Sequence, residues 1–252
     1  MRKLLFALCL LPFLFAGCTQ NNVAENRQLQ VYFDSAKVNG CFGLFNNGEG
    51  SFSIYNLSRY RDSAYQPAGT FRILLSLVGL QTGVIKDEKG GVKEAFQAAD
   101  DTAFGKIALQ IGKDTLKRWI DSLGYGNKNL EGTADTFWRN NHLKVKADEE
   151  LGLVKKLYFN QLPFFQRSQK IVQEMMLVES NANYQLSYVT GDGVREDGRK
   201  FVWVLGWIEE SKHPYFFVLN LDTTDPGADS RNTGLPLLRK ILDHEGFFQG
   251  KK

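Results

Sequence analysis

Catalysis by a chain of 252 residues needs a nucleophile, a base or a metal ion held at fixed spacing, and few groups here qualify. Thr70, Ser187 and Tyr188 supply hydroxyls in or beside regular segments, and Asp100 and Asp101 offer carboxylates for proton transfer. Arg72 stands three residues after Gly69, the spacing at which a helix brings two side chains together. Glycine has no nucleophile, and arginine stays protonated, so that pair cannot attack or accept a proton. No serine is followed three residues later by lysine: Ser63 leads to Gln66, Ser76 to Gly79 and Ser187 to Thr190. Gly-x-Ser-x-Gly and His-Glu-x-x-His are also missing. Three histidines with no close His/Cys cluster argue against zinc, and neither a metal nor a cofactor is expected.

The positioning elements must come from a globular domain. The chain is 43% hydrophobic and 13% aromatic, which gives ample core material and excludes disorder as the main state. Lys+Arg exceeds Asp+Glu by only 3, too little for a nucleic-acid binder. Three cysteines exclude a disulfide scaffold.

Residues 1–17 read as an export signal. Arg2 and Lys3 precede a thirteen-residue apolar run, Leu4 to Ala16, short of the about 20 residues that span a membrane. Phe15-Ala16-Gly17-Cys18 resembles a bacterial lipobox, so Cys18 is expected to carry a lipid and Cys41 to be the one thiol left. Localisation is then the bacterial cell envelope, anchored to a membrane and facing the periplasm or the extracytoplasmic surface. Residues 18–28 are polar and read as a tether, with the domain over 29–250.

Leu29 to Phe33 and Cys41 to Tyr55 are predicted strands, the second region turning at Asn46-Asn47-Gly48. Thr70 to Thr82 is apolar nearly all round, which predicts a helix at the centre of a domain, with Gly83 as C-cap. Asp114–Leu123, Asp148–Leu162 and Ser168–Glu179 are predicted helices, Asp148 being the N-cap candidate of the second. Tyr184–Thr190, Phe201–Glu209 and Tyr215–Asp222 follow as strands, and Leu235–His244 as a final helix. Phe201, Trp203, Leu205 and Trp207 fall on one strand face, and Val202, Val204 and Ile208 on the other, so this strand is covered on both sides. The fold class is α/β (α+β): a central antiparallel sheet flanked by helices, plus a mostly helical lobe.

A set of short motifs follows the same order as in a known family. These are Tyr55-Asn56, Gln66-Pro67-Ala68-Gly69-Thr70-Phe71-Arg72, Leu77 to Gly83, Tyr125-Gly126-Asn127, Phe137-Trp138, Gln161 to Phe164, Val189-Thr190-Gly191 and Leu205-Gly206-Trp207. In order and spacing the chain resembles the class D (oxacillinase-type) serine β-lactamases and related penicillin-binding transpeptidase-like domains, over about Gly40 to Gly246.

The resemblance implies a Ser-x-x-Lys pair, with the lysine as an N-carboxylate that takes the serine proton. Those positions are Gly69 and Arg72 here. The family's second serine aligns with Ala99, counting back without a gap from Ile111-Gly112, and its Lys-Thr-Gly reads Val189-Thr190-Gly191. The cleft is expected to keep Thr70, Tyr125, Asn127, Trp138, Thr190, Gly191 and Asp192, with Gly69 and Asp192 amides able to form an oxyanion hole. Trp138 could stack on Arg72, whose other candidate partners are Asp100, Asp101 and backbone carbonyls. Arg231 is the nearest arginine to the family's carboxylate-binding position, where a gapless alignment places Gly234.

The expected function is that of a non-hydrolytic relative, exported as a lipoprotein, that binds a peptidoglycan peptide, a β-lactam or a protein partner in the old cleft. The alternative is a rewired hydrolase using Thr70 or Ser187, helped by Asp100 or Asp101. An extracytoplasmic sensor is disfavoured by the missing nucleophile.

Overall fold

The computed structural model describes residues 22–86, 91–223 and 230–252, with Ser230 and Arg231 defined by backbone alone. The signal segment, Cys18 and the first residues of the expected tether lie outside these.

The expected strand at Leu29–Phe33 is a helix. Elements are numbered in chain order: β1 (Asn22–Glu25), α1 (Gln30–Ser35), β2 (Val38–Asn46) and β3 (Ser51–Tyr55). A strand would place Leu29, Val31 and Phe33 on one face. The helical turn instead buries Leu29 and Phe33, four residues apart, and leaves Val31 62% exposed. The tether expectation also fails where it can be seen, because β1 pairs in parallel with β3, Asn22 opposite Ser51. The hairpin at Asn46 forms as read, with the Asn46 side-chain oxygen accepting from the Gly48 amide at 3.0 Å.

Next come α2 (Leu57–Asp62), β4 (Ala64–Tyr65), a 3-10 turn (Ala68–Phe71) and α3 (Arg72–Thr82). Residues 72–79 of α3 are all buried, and Gly83 ends the helix at φ 75°, both as the apolar run predicts. The helical lobe continues through α4 (Val92–Gln97), α5 (Asp101–Ile111), α6 (Lys113–Leu123), β5 (Val145–Lys146), α7 (Ala147–Tyr158) and α8 (Gln166–Met176). Asp148 is not the N-cap of α7. It sits in the first turn, and the Lys146 amide at the cap donates to the Glu149 carboxylate at 2.9 Å. The chain then runs through β6 (Leu177–Ser180), β7 (Tyr184–Val194), β8 (Lys200–Glu210), β9 (His213–Thr223) and α9 (Ser230–His244).

Seven of these strands form one sheet in the order β1-β3-β2-β9-β8-β7-β6, antiparallel except at the β1 edge. Phe201, Trp203, Leu205 and Trp207 pack with the helical lobe; Val202, Val204 and Ile208 pack with Leu29, Phe33 and the α9 residues Leu237, Leu238 and Ile241. The two-faced pattern of β8 thus seats it inside the sheet, between two cores. Each large apolar side chain buried there contributes about 1.5–3 kcal/mol, and β7 pairs along its whole length with this strand.

Candidate functional site

The 3-10 turn ahead of α3 carries Gly69 and Thr70, with Ala68 at a positive φ of 51°. Facing it runs β7, whose Val189, Thr190 and Gly191 pair with Leu205, Val204 and Trp203 of β8. Turn and strand meet backbone to backbone. A Cβ on Gly191 would lie 2.7 Å from the Thr70 amide nitrogen and 2.8 Å from that of Gly69. A Cβ on Gly69 would lie 2.6 Å from Arg72 Nη1 and 2.8 Å from the Thr190 carbonyl oxygen. All four separations are below van der Waals contact, so the two segments meet this closely only because neither residue has a side chain. Gly69, whose amide is expected in an oxyanion hole, is buried and faces Gly191. Asp192 is half-buried on β7 opposite Val202.

Arg72 is 3% exposed. Its Nη2 donates to the Thr190 carbonyl at 3.0 Å, and its guanidinium carbon lies 5.5 Å from the centroid of Phe96. The cation therefore stitches α3 to β7 while resting on an aromatic face. Of its expected partners the carbonyl is the one found. Trp138 stacks on Phe71 instead, at 5.4 Å and 19°. Asp100 caps α5, accepting from the Thr102 and Ala103 amides at 3.0 Å each, and Asp101 pairs with Arg139 at 3.1 Å. Val189 joins Arg72, Phe96, Met175 and Tyr188 around a cavity of about 190 Å³. Ala99, at φ 55°, forms the turn just after Phe96, between α4 and α5. Gly69, Arg72 and Val189 thus gather in one place, and Ala99 follows three residues after Phe96 of the same cavity.

Thr70 is not in the cleft. It is 1% exposed, and its hydroxyl lies 2.8 Å from the Pro67 carbonyl and 2.9 Å from Glu150 Oε1. The same carboxyl oxygen accepts from the Tyr125 hydroxyl at 2.8 Å, so Tyr125 also turns inward. Burial pushes the Glu150 carboxyl up to about 7, against the two hydroxyl contacts, which pull it down. Burial first, then Glu150, holds the Tyr125 hydroxyl well above its usual range. Sequence reasoning does not single out Glu150, because its Thr70 partner is 80 residues away.

The wall opposite β7 is docked onto the end of that strand. Asn127 braces the wall: its Nδ2 donates to the His142 carbonyl at 2.7 Å, and its Oδ1 accepts from the Lys144 amide at 3.0 Å. Asn141 Nδ2 and Gln66 Nε2 both donate to the Val194 carbonyl at 2.9 Å, and Lys144 pairs with Glu196 at 2.6 Å. Ser187 is buried on β7 opposite Trp207, beside a groove formed with Tyr158, Gln173 and Glu209, apart from the turn. Cys41 is buried in β2, and burial raises its thiol to about 12, so it is a packing residue rather than a nucleophile. Arg231 is the second residue of α9, with its side chain outside the described residues.

The sequence profile of the penicillin binding protein transpeptidase domain matches residues 88–243. Beta-lactamase OXA-48 of Klebsiella pneumoniae is 30% identical over 239 residues, covering 88% of this chain and 89% of its own. Beta-lactamase OXA-5 of Pseudomonas aeruginosa is 30% identical, covering 98% and 99%. Among solved structures, the class D beta-lactamase from Sebaldella termitidis superposes with a TM-score of 0.85 at 24% identity, over 91% of this chain and 100% of that one. The C-terminal domain of the Bacillus licheniformis BlaR penicillin-receptor gives 0.82 at 23%, over 90% and 98%. With its sheet order, its helical lobe and its motifs in place, the chain belongs to the penicillin-binding transpeptidase domain family, among the class D β-lactamases and their relatives.

Proposed function

We propose that this chain is a non-hydrolytic member of its family, exported as a lipoprotein and anchored to the cell envelope through a lipid on Cys18. Its old cleft serves binding, of a peptidoglycan stem peptide, an unreacted β-lactam or a protein partner, and not acyl transfer. The observation that carries the reading is the backbone contact of Gly69 with Gly191, held by Arg72 on the Thr190 carbonyl. Gly69 and Arg72 supply neither nucleophile nor base there, and a serine Cβ at 69 would lie 2.8 Å from the Thr190 carbonyl oxygen. Losing a nucleophile or base costs on the order of 10⁶ in rate in a serine-protease series. Thr70 does not replace the serine, because its hydroxyl is committed to Pro67 and Glu150.

Intact-mass analysis after incubation with a penicillin is expected to show no covalent adduct, and a chromogenic cephalosporin no turnover above background. An adduct at one equivalent, or turnover that survives repurification, sinks the reading. For the anchor, a palmitate analogue is expected to label the wild type and not Cys18→Ser; equal labelling of both defeats it.

A further inference from the structure

Four oxygens form a chain beneath the turn: Pro67 O, Thr70 Oγ1, Glu150 Oε1 and Tyr125 Oη, separated by 2.8, 2.9 and 2.8 Å. Oxygens this close need a proton between each pair. Three contacts need three protons, and Thr70 and Tyr125 supply one each. The third must come from Glu150. One assignment satisfies every contact: Tyr125 donates to Oε1, Oε1–H donates to Thr70, and Thr70 donates to Pro67. Glu150 Oε2 has no hydrogen-bond partner among the described residues, which suits the carbonyl of a neutral acid better than half of a carboxylate.

We propose that neutral Glu150 is a proton latch on the turn that meets β7 at the old cleft: with its proton it holds Pro67–Thr70 bonded against β7, and ionisation loosens that contact. Without the proton, Thr70 either keeps Pro67 and turns a lone pair to a carboxylate, or turns to the carboxylate and releases Pro67. Pro67 O lies 3.0 Å from where a Cβ on Gly191 would be, so this carbonyl is part of the surface on which β7 rests. Tyr125 from the segment after α6, Glu149 from its own helix and the Thr70 hydroxyl are the groups that act on Glu150. The other elements packed on α7, namely α2, α8, β2, β5, β8 and β9, add no charged group to that set. Burial thus favours the neutral form without opposition from a cation. The inference holds whether or not the chain turns over a lactam.

The test is a carbon-13 titration of the Glu150 carboxyl, with pH-dependent hydrogen exchange at the Thr70 amide, which donates to Pro67 O at 3.1 Å. The carboxyl is expected to be neutral near pH 5. Amide protection, corrected for intrinsic exchange, is expected to fall by up to about tenfold per pH unit as pH rises toward neutrality, then to level off. Glu150→Gln, which keeps a neutral donor, is expected to show a flat profile. Tyr125→Phe removes a donor that favours the ionised form, so its levelling is expected at higher pH. An ionised carboxyl at pH 5, a flat wild-type profile, an equal slope in Glu150→Gln, or no shift in Tyr125→Phe overturns the latch.

Discussion

Glu150 and Asp222 are both fully buried carboxyls, and they are compensated in opposite ways. Asp222, near the end of β9, meets guanidiniums: Arg195 Nη1 at 2.6 Å, Arg59 Nη1 at 3.3 Å and Arg199 Nη1 at 3.7 Å. Arg59 and Arg195 also lie over the ring of Tyr65, at 4.8 and 5.1 Å. Glu150, in the first turn of α7, meets hydroxyls. The two sites flank one short segment, since Tyr65 begins and Thr70 ends the stretch that enters α3. A guanidinium keeps its charge throughout the neutral range, whereas a carboxyl proton can leave. One end of the segment is therefore pinned by fixed charge and the other by a proton, although chemistry and burial are alike at both.

The sharpest way to break this comparison is to remove the fixed pin. Asp222→Ala leaves Arg59 and Arg195 beside Tyr65 without their shared anion. It is expected to cost about 3–5 kcal/mol in denaturant melts, the usual range for breaking a buried pair from one side. A loss below about 1 kcal/mol would mean that the cluster is solvated in practice and no pin at all.

The second prediction concerns the proton end, and its sign follows from linkage. The folded carboxyl keeps its proton to about 7, against an ordinary value of 4.5 in the unfolded chain. Between those values the folded state binds more protons, so stability falls as pH rises and levels off above the folded value. At about 1.4 kcal/mol per pH unit the loss is on the order of 3 kcal/mol. Melts of the wild type against Glu150→Gln across that window are expected to converge in acid and differ most near neutrality. Parallel curves would show that Glu150 is ionised throughout.

Much of the scaffold is legible in the residues themselves. The apolar run from Phe71 to Leu80 has one good place to go, the middle of the domain, and α3 is there. The alternation along Phe201 to Ile208 seats β8 between two cores. The chemical loss is equally legible, because Gly69 and Arg72 lack the groups in question wherever they fold. What is not legible depends on contact between distant segments. Short apolar runs such as Leu29–Phe33 fit a strand or a helical turn, and only the packing partner decides. Glu150 looks like any first-turn acid complementing a helix dipole. Nothing local reveals that Thr70, 80 residues earlier, and Tyr125, 25 residues earlier, converge on it. The contact between turn and strand is hidden likewise: two glycines 122 positions apart become a seal only when β7 lies on the turn.

That seal yields the last and smallest effect. Gly69→Ser with Arg72→Lys restores the nucleophile and amine that the family uses, yet hydrolysis is expected to stay at background. The serine Cβ would come 2.8 Å from the Thr190 carbonyl and 3.0 Å from Gly191 Cα, so strand and turn must part before the side chain fits. Lysine in turn gives up the fork that reaches the Thr190 carbonyl while lying over Phe96. Ala99 and Val189 still lack the side chains that would relay a proton and hold a carboxylate. The double change is expected to lower stability by about 1–3 kcal/mol, the range for overpacking a tight interior site. Because Pro67 and Thr70 belong to the same turn, its cost is also expected to shrink as pH rises and the Glu150 proton is lost. Nitrocefin assays and melts at two pH values decide the matter: robust hydrolysis would show that the strand yields readily, and a pH-independent cost would uncouple the glycine seal from the proton beneath it.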